Sequence, residues 1–332
     1  MKEDENVKIS EQNKTAPWAA YLGILAAAAL WGIIGIWNRQ LMALGLSPTG
    51  IVAVRNFGGM ALLAAIFVVK DRSVFRVRKE HLKYFFGTGI VSVVLFTVCY
   101  FSCQKLCSLA VASILLYTAP SFVVVMSAIL WKEPVTKKKL SALLLTLIGC
   151  ALVCGLFAGD LTVTVPGILL GLGAGFFYAL YSIFSRYALA HYDSMTVTVW
   201  TFLFAGPASL LLVKPAEMAA VLIQPRAWLL AAALVVFSTV LPYIFYTGGL
   251  ARVEAGKASI MASLEPVVAS LMGVVLFSEP MGIQTLLGIV CVLAGVYILR
   301  KVYGEEYKRR KNQCNADAGA EGNPLHCPRL CP

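Results

Sequence analysis

Two ionisable side chains lie inside long apolar stretches of this sequence, and they are the residues best placed to do chemistry there. Glu265 falls in the apolar run 257–277 and Arg55 in the run 48–69. A charged group surrounded by hydrocarbon is costly and usually marks a function or a specific partner. A carboxyl group at such a depth can exchange a proton or neutralise a cation. A planar guanidinium can clamp a carboxylate through two parallel hydrogen bonds.

The positions of these two residues favour different roles. Glu265 lies two residues from the middle of its run, about 3 Å along a helix axis, and therefore close to the membrane midplane. For Glu265 we favour a functional role over a carboxyl held in a packing hydrogen bond. Arg55 lies seven residues into its run, where its long stem can reach water or backbone carbonyls. For Arg55 we favour a structural tether over a substrate clamp.

Aromatic rings with a polar tip also fall inside the apolar runs. Tyr178 and Tyr181 are three residues apart, as are Tyr243 and Tyr246, so each pair shares one helix face. Such rings can hold an ammonium group or an apolar side chain, although rings of this kind also form interfacial belts that face lipid. The aromatic candidates for a binding cavity are Trp31, Tyr117, Tyr178, Tyr181, Tyr243 and Tyr246.

Two prolines, Pro120 and Pro266, lie within apolar runs of helical length. Proline removes a backbone donor and frees a carbonyl one turn earlier, so it interrupts a membrane helix. Breaks at matching positions in two halves of a carrier point to its binding site. A simple packing kink is the alternative interpretation of both prolines.

The elements that position these residues are transmembrane helices. The chain has 332 residues, of which 59% are hydrophobic and 14% charged. A net charge of +11 would suit nucleic acid binding, but the basic residues lie between apolar runs and not on one solvated face. We therefore predict no nucleic acid partner and an integral membrane protein. Ten runs reach spanning length, at about 18–38, 48–69, 82–103, 109–130, 140–158, 166–188, 195–213, 227–248, 257–277 and 282–300.

The orientation follows from the distribution of lysine and arginine, which stay on the cytoplasmic side of a membrane. With the N-terminus inside, 23 of the 28 basic residues are cytoplasmic and four are external, while Arg55 lies within a span. The sequence therefore predicts a multi-pass protein with both termini in the cytoplasm.

The two halves of the chain repeat each other. An offset of 146 residues places Pro120 on Pro266 and Glu133 on Glu279, and an offset of 147 places Arg39 on Arg186. Because each copy has five helices, the second copy enters the membrane upside down. The predicted fold class is an all-α membrane protein of two inverted five-helix repeats. The repeats span 18–158 and 159–303, between a cytoplasmic tail at 1–17 and a disordered cytoplasmic tail at 304–332.

The spans lack the groups that an intramembrane enzyme needs. All three histidines and every aspartate fall outside them, which excludes a buried Ser/His dyad, a His-Glu-x-x-His zinc site and a paired-aspartate protease. The tail residues Cys314, His326, Cys327 and Cys331 lack the paired spacing of a zinc site. We predict no enzyme activity, no cofactor and no metal site.

These features together resemble the ten-helix EamA-type branch of the drug/metabolite transporter superfamily. The resemblance covers about residues 18–300. It rests on Leu-Trp-Gly at 30–32, Arg55, the run Ala-Ser-Ile-Leu-Leu-Tyr-Thr-Ala-Pro ending at Pro120, and the twin loops Trp-Lys-Glu-Pro and Phe-Ser-Glu-Pro. It implies a carrier for small metabolites, with a cavity lined mainly by helices 1, 3, 4, 6, 8 and 9.

The resemblance leads us to expect a secondary active exporter of an amino acid or related metabolite, working by alternating access in a bacterial plasma membrane. Proton coupling through Glu265 is a hypothesis within this expectation. The expected partners are a small-molecule substrate, the lipid bilayer and protons, and a homodimer is left open. The alternatives are a flippase for a lipid-linked sugar, a multidrug efflux carrier on the same fold and, less favoured, an intramembrane transferase.

Overall fold

The computed structural model describes residues 17–157 and 161–299, and within those ranges every regular element is a helix. The predicted tail residues 304–332, including the cysteines and His326 named above, lie outside the described ranges. Ten helices follow the ten predicted runs, which confirms the predicted fold class. They are α1 (Trp18–Ala43), α2 (Pro48–Lys70), α3 (Lys79–Leu106), α4 (Leu109–Trp131), α5 (Lys137–Val153), α6 (Val165–Leu189), α7 (Ser194–Leu210), α8 (Pro225–Leu250), α9 (Ala255–Phe277) and α10 (Ile283–Leu299).

The outer surface of the bundle is suited to lipid. Seven of the helices are long and apolar enough to cross a membrane, and α7 and α10 are shorter apolar helices. Helix α5 begins with three lysines and continues as an apolar helix. Large apolar side chains such as Ile129 and Leu169 are exposed. Such exposure is unusual for a protein in water but expected where hydrocarbon is the solvent.

The repeat is visible in the way α4 and α9 are broken. Helix α4 consists of Leu109–Leu116 and Ala119–Trp131, and α9 consists of Ala255–Ala262 and Glu265–Phe277. Adding 146 to each boundary of α4 reproduces the boundaries of α9. In each helix the proline is the second residue of the second half, where its missing N–H costs nothing. The matched prolines thus interrupt both helices at equivalent depth.

Helices α3 and α8 carry a second pair of matched irregularities. Residues Gly87–Val94 of α3 and Val236–Val240 of α8 are wound as π-helix, and the two segments overlap at an offset of 147. A π-helical turn shifts the side chains that follow it and often occurs at functional sites. In α8 it lies just before Pro242. The composition of the runs did not predict either turn.

Helices α5 and α10 cross at two glycines that let their backbones touch. A Cβ atom on Gly149 would lie 2.7 Å from the carbonyl oxygen of Gly288, and a Cβ on Gly288 would lie 2.7 Å from that of Gly149. Each helix is the last of its repeat, so this contact closes one seam between the two halves. Small residues permit such close crossings in membranes, where no hydrophobic effect drives helices together.

We expect the substitution Gly288→Leu to destabilise the protein by about 1–3 kcal/mol, the usual cost of overpacking. The melting temperature in detergent measures the effect. Gly35→Leu is a matched control in α1, because a Cβ on Gly35 meets nothing within 4 Å. Equal melting temperatures for the two variants would show that the crossing adjusts freely.

Candidate functional site

Glu265 is the first residue of the second half of α9, directly after the break. It is only half-buried although it lies at the centre of the bundle, so it lines an internal space. The hydroxyl of Tyr117, at the corresponding break in α4, lies close to the Glu265 carboxylate. Arg55 of α2 also acts on this carboxylate as a nearby opposite charge. The two breaks and α2 thus meet around Glu265, and we call the region bordered by Glu265, Tyr117 and Arg55 the chamber.

Arg55 has no hydrogen-bonding partner among the described residues. Its Nε atom is buried and unsatisfied, as is Nδ2 of the adjacent Asn56. Buried polar atoms nearly always have partners. The tether to backbone carbonyls that we favoured for Arg55 is therefore not found in the described part of the chain. The guanidinium is available to an anionic group that enters the chamber.

Four of the predicted aromatic residues form one buried cluster beside the chamber. The ring of Tyr243 lies 5.4 Å from Trp31 and 5.0 Å from Tyr181, edge to face in both cases, and Tyr246 lies 5.3 Å from Trp31. Two of the hydroxyl groups are satisfied, because Tyr181 pairs with Thr247 at 2.7 Å and Tyr246 with Ser182 at 2.8 Å. These rings therefore form an inner wall and do not face lipid.

A small cavity opens between this wall and the π-helical turn of α3. Ser92 and Val93 of that turn line the cavity with Phe96, Tyr178 and the four aromatic residues of the wall. Tyr178 is half-buried, and its ring packs edge to face on Phe96 with the centroids 5.4 Å apart. It lies close enough to Glu265 for the carboxylate charge to act on its hydroxyl group. The π turn thus brings a hydroxyl group and an aromatic ring into the cavity.

The breaks in α4 and α9 leave carbonyl groups that neighbouring side chains approach. Thr118 Oγ1 donates to the carbonyl of Leu115 at 2.6 Å, and the Cys150 thiol approaches the carbonyl of Ser263 at 3.8 Å. Pro120 and Pro266 are themselves buried. They shape the breaks, whereas the partly accessible groups around the chamber are Arg55, Tyr117, Tyr178 and Glu265.

One face of the bundle, which we call the Glu133 side, is closed by a contact between the repeats. Glu133 follows the end of α4, and its carboxylate accepts hydrogen bonds from the backbone N–H groups of Ala255 and Gly256 at 3.1 and 3.4 Å. These groups open α9, where the helix dipole favours a negative charge. The end of α4 is thereby fastened to the start of α9.

Buried charges surround this contact, and we call Glu133, Lys139, Glu254 and Lys257 the gate network. Lys139 is only 1% exposed, and its Nζ lies 3.1 Å from Glu133 and 3.3 Å from Glu254. Lys257 pairs with Glu254 at 3.1 Å. Burial alone would raise the pKa of the Glu133 carboxyl, but the charge and hydrogen bond of Lys139, a hydrogen bond from Ser127 and the charge of Arg186 together hold that pKa below its ordinary value. Glu133 is therefore ionised at neutral pH.

Glu279, the repeat partner of Glu133, lies on the opposite face, which we call the Glu279 side. It pairs with Arg39 at 2.6 Å, and both side chains are open to solvent, 44% exposed for Glu279 and 53% for Arg39. The equivalent residue of Arg39 is Arg186, which donates to the carbonyl of Val253 at 3.0 Å on the Glu133 side. Each arginine also lies over an aromatic ring at the end of α4 or α9, Arg186 over Trp131 and Arg39 over Phe277.

The two sides differ in how closely the repeats pack against each other. On the Glu133 side, Ala255–Ala262 packs along Ala119–Trp131. On the Glu279 side, the equivalent segments Leu109–Leu116 and Glu265–Phe277 do not form that interface, and within the described residues Glu279 makes no hydrogen bond to α4. The chamber is therefore sealed towards the Glu133 side and less tightly closed towards the Glu279 side.

Sequence reasoning missed the gate network. Glu133 entered only as a repeat marker, and Lys139 and Lys257 only as basic loop residues. A signal was present, since Glu133 and Arg186 match Glu279 and Arg39 across the repeat. No group of three His, Cys, Asp or Glu side chains suited to a metal ion occurs in the part of the chain that the structure describes.

Ten membrane helices in two inverted repeats, with two helices broken at equivalent positions, are an architecture typical of transporters. The chain belongs to the EamA-like transporter family, whose model matches residues 18–155 and 165–301. This confirms the resemblance and makes the protein a multi-pass membrane transporter.

Similar proteins agree with this assignment. An uncharacterized transporter of Archaeoglobus fulgidus is 31% identical over 83% of this chain and 94% of its own length. A Salmonella typhimurium protein named "Probable amino-acid metabolite efflux pump" is 25% identical over 86% of this chain and 95% of its own. A solved crystal structure shares the fold with a TM-score of 0.72 at 21% identity, over 85% of this chain and 96% of that one.

Proposed function

We propose that this protein exports a small zwitterionic metabolite, such as an amino acid or related compound, by alternating access. The one-sided closure of the chamber carries this proposal. A carrier needs two states that open to opposite faces, and an inverted repeat supplies them when the halves exchange conformations. The Glu133 side is closed by buried ion pairs, and the Glu279 side holds the equivalent glutamate and arginine in a looser, exposed arrangement.

The chamber contains groups of both charges, as a zwitterion requires. Arg55 offers an unsatisfied guanidinium that suits a carboxylate. Glu265 and the half-buried ring of Tyr178 suit an ammonium group. The Salmonella relative whose name refers to amino-acid metabolites supports the same substrate class.

We place the protein in the bacterial plasma membrane with the Glu133 side in the cytoplasm. This orientation rests on the excess of lysine and arginine on that side. An uncharacterized inner membrane transporter of Salmonella typhimurium, 24% identical over 84% of this chain, supports the location. The described conformation is then outward-facing.

Thermal stabilisation of the purified protein tests the substrate class, because a ligand that binds only the folded state raises the melting temperature. The panel contains amino acids, quaternary amines, nucleosides and short-chain lipid-linked sugars. We expect amino acids to raise the melting temperature of the wild type but not that of the Arg55→Gln variant. Arg39→Gln is the control, since Arg39 lies on the Glu279 side and outside the chamber.

Each class of hit has a distinct meaning. Amino acids that stabilise the wild type and Arg39→Gln, but not Arg55→Gln, support the proposal. Hits confined to lipid-linked sugars would replace it with a flippase, and hits confined to quaternary amines would favour a multidrug carrier.

A further inference from the structure

We propose that a groove on the Glu133 side, formed where the α2–α3 loop folds onto the turn between α6 and α7, binds a phosphate group. The groove is an open cavity of about 620 Å³ lined by Arg76, Arg78, His81, His191 and Tyr192, with two apolar neighbours. It is separate from the chamber and from the gate network. A phosphate carried by an acidic lipid headgroup or by a soluble metabolite has the chemistry to fill it.

The polar groups that line the groove are hydrogen-bond donors and bases. The imidazole rings of His81 and His191 stack with their centroids 4.2 Å apart. Two arginines of the loop, Arg76 and Arg78, join them in the lining. Guanidinium groups are the side chains best suited to phosphate oxygens. Two guanidinium groups and two imidazole rings therefore line one space, and no carboxylate lines it.

Two carboxylates lie near the groove, and each is either weakly paired or already bound to another group. Glu80 lies 3.4 Å from Arg78, but both side chains are largely exposed, so this pair contributes little and can be displaced. Asp193 accepts from the backbone N–H of Thr196 at 2.6 Å and caps α7. The groove thus keeps an excess of positive charge that a phosphate would balance.

The groove is preformed because the loop is tied down on both sides. The Tyr192 hydroxyl accepts from the backbone N–H of Arg78 at 2.9 Å and pairs with His81 Nδ1 at 2.9 Å. Trp200 Nε1 donates to the carbonyl of Val74 at 3.1 Å. A site whose donors are already positioned loses less entropy on binding. If the loop served only to set the orientation of the protein in the membrane, it would need its positive charges but not these hydrogen bonds.

The groove lies at the level where a membrane presents its phosphates. Helix α3 begins at Lys79, and Phe86, two turns further on, is exposed on the lipid-facing surface. Basic pockets between helices on one side of a membrane bind acidic headgroups in this way.

Isothermal titration in a neutral detergent tests the site with three probes: short-chain phosphatidylglycerol, short-chain phosphatidylcholine and glycerol 3-phosphate. We expect the double variant Arg76→Gln/Arg78→Gln to weaken phosphatidylglycerol or glycerol 3-phosphate binding at least 10-fold, in line with the loss of two charge-assisted contacts. The control Lys70→Gln/Arg72→Gln removes the same charge from the end of α2 and the start of the same loop, outside the groove. We expect it to change binding less than twofold.

The probes separate the two sources of phosphate. Binding of phosphatidylglycerol alone identifies a lipid headgroup, and binding of glycerol 3-phosphate identifies a soluble phosphate ester. Equal losses in both double variants would overturn the proposal in favour of diffuse loop charge. Failure of both phosphate probes to bind, or phosphatidylcholine binding as tight as phosphatidylglycerol, would also overturn it.

Discussion

Replacing Glu133 with glutamine is expected to open the Glu133 side of the transporter. The amide keeps the shape and can still accept from the Ala255 N–H through its single oxygen, but its NH2 group replaces the charged oxygen that faces the Gly256 N–H and the buried Lys139. Breaking a buried ion pair costs about 3–5 kcal/mol. Since Glu254 still pairs with Lys139, we expect on the order of 2 kcal/mol, or about a 30-fold change in the ratio of the two states.

Distances between spin labels measure this shift after the native cysteines are replaced by alanine. Labels at positions 135 and 251 span the Glu133 side, and labels at positions 109 and 281 span the other. In Glu133→Gln the first distance should lengthen and the second shorten. Glu279→Gln is the matched control, because its exposed pair with Arg39 is worth at most about 1 kcal/mol. Similar changes of distance in both variants, or no change in Glu133→Gln, would show that the gate network does not keep the Glu133 side closed.

The same network predicts a specific dependence on pH. The pKa of Glu133 is lowered in the closed state because its hydrogen bonds and the charges of Lys139 and Arg186 together outweigh the effect of burial. Its contribution is therefore fully present above the ordinary carboxyl pKa and is lost as the pH falls through the lowered pKa. Glu133 keeps the gate closed through the neutral range, so a change in transport near neutral pH must arise from another group.

Replacing Glu265 with glutamine is expected to abolish proton-driven transport, while exchange of substrate continues with weaker binding because the ammonium group loses a charged partner. An amide has nearly the same volume as a carboxyl group but cannot carry a proton across the membrane. Glu265 is the carboxyl at the chamber, and it is partly accessible there. We expect at least a tenfold loss of uptake driven by a pH gradient, since the coupled step has no proton carrier.

Proteoliposomes loaded with the ligand that gives the largest thermal stabilisation measure both activities. Gradient-driven uptake reports coupling, and counterflow without a gradient reports binding and gating. Glu265→Asp is the control, because it keeps a titratable group on a shorter side chain and should retain part of the coupled uptake. A glutamine variant with the pH dependence of the wild type would show that Glu265 does not carry the proton.

Much of the fold was predictable because the composition of a single segment is enough to identify a membrane helix. Each apolar run must satisfy its backbone groups internally and therefore forms a helix. The matched prolines even predicted where α4 and α9 break, since Pro120 and Pro266 cannot donate to the helical ladder. The π-helical turns of α3 and α8 escaped prediction, because their apolar residues carry no local signal for an extra residue in the turn.

The candidate site was predictable only in part. Glu265 and Arg55 stood out because ionisable groups are rare in hydrocarbon. The structure brings both to one chamber, but it does not show the carbonyl tether that we favoured for Arg55. Whether a ring such as Tyr243 faced lipid or the interior depended on helix rotation, which a uniformly apolar run does not specify.

The sequence by itself determined the helices, their inverted duplication and the two ionisable groups at membrane depth, since hydrophobicity, backbone hydrogen bonding and desolvation act on each segment separately. Only the tertiary structure decided which side of the chamber is closed. Glu133 and Glu279 each precede a proline and match across the repeat, yet one carboxylate is buried against α9 and Lys139 and the other pairs with Arg39 in solvent. The reason is that closure depends on how the two repeats pack against each other, which neither repeat specifies alone.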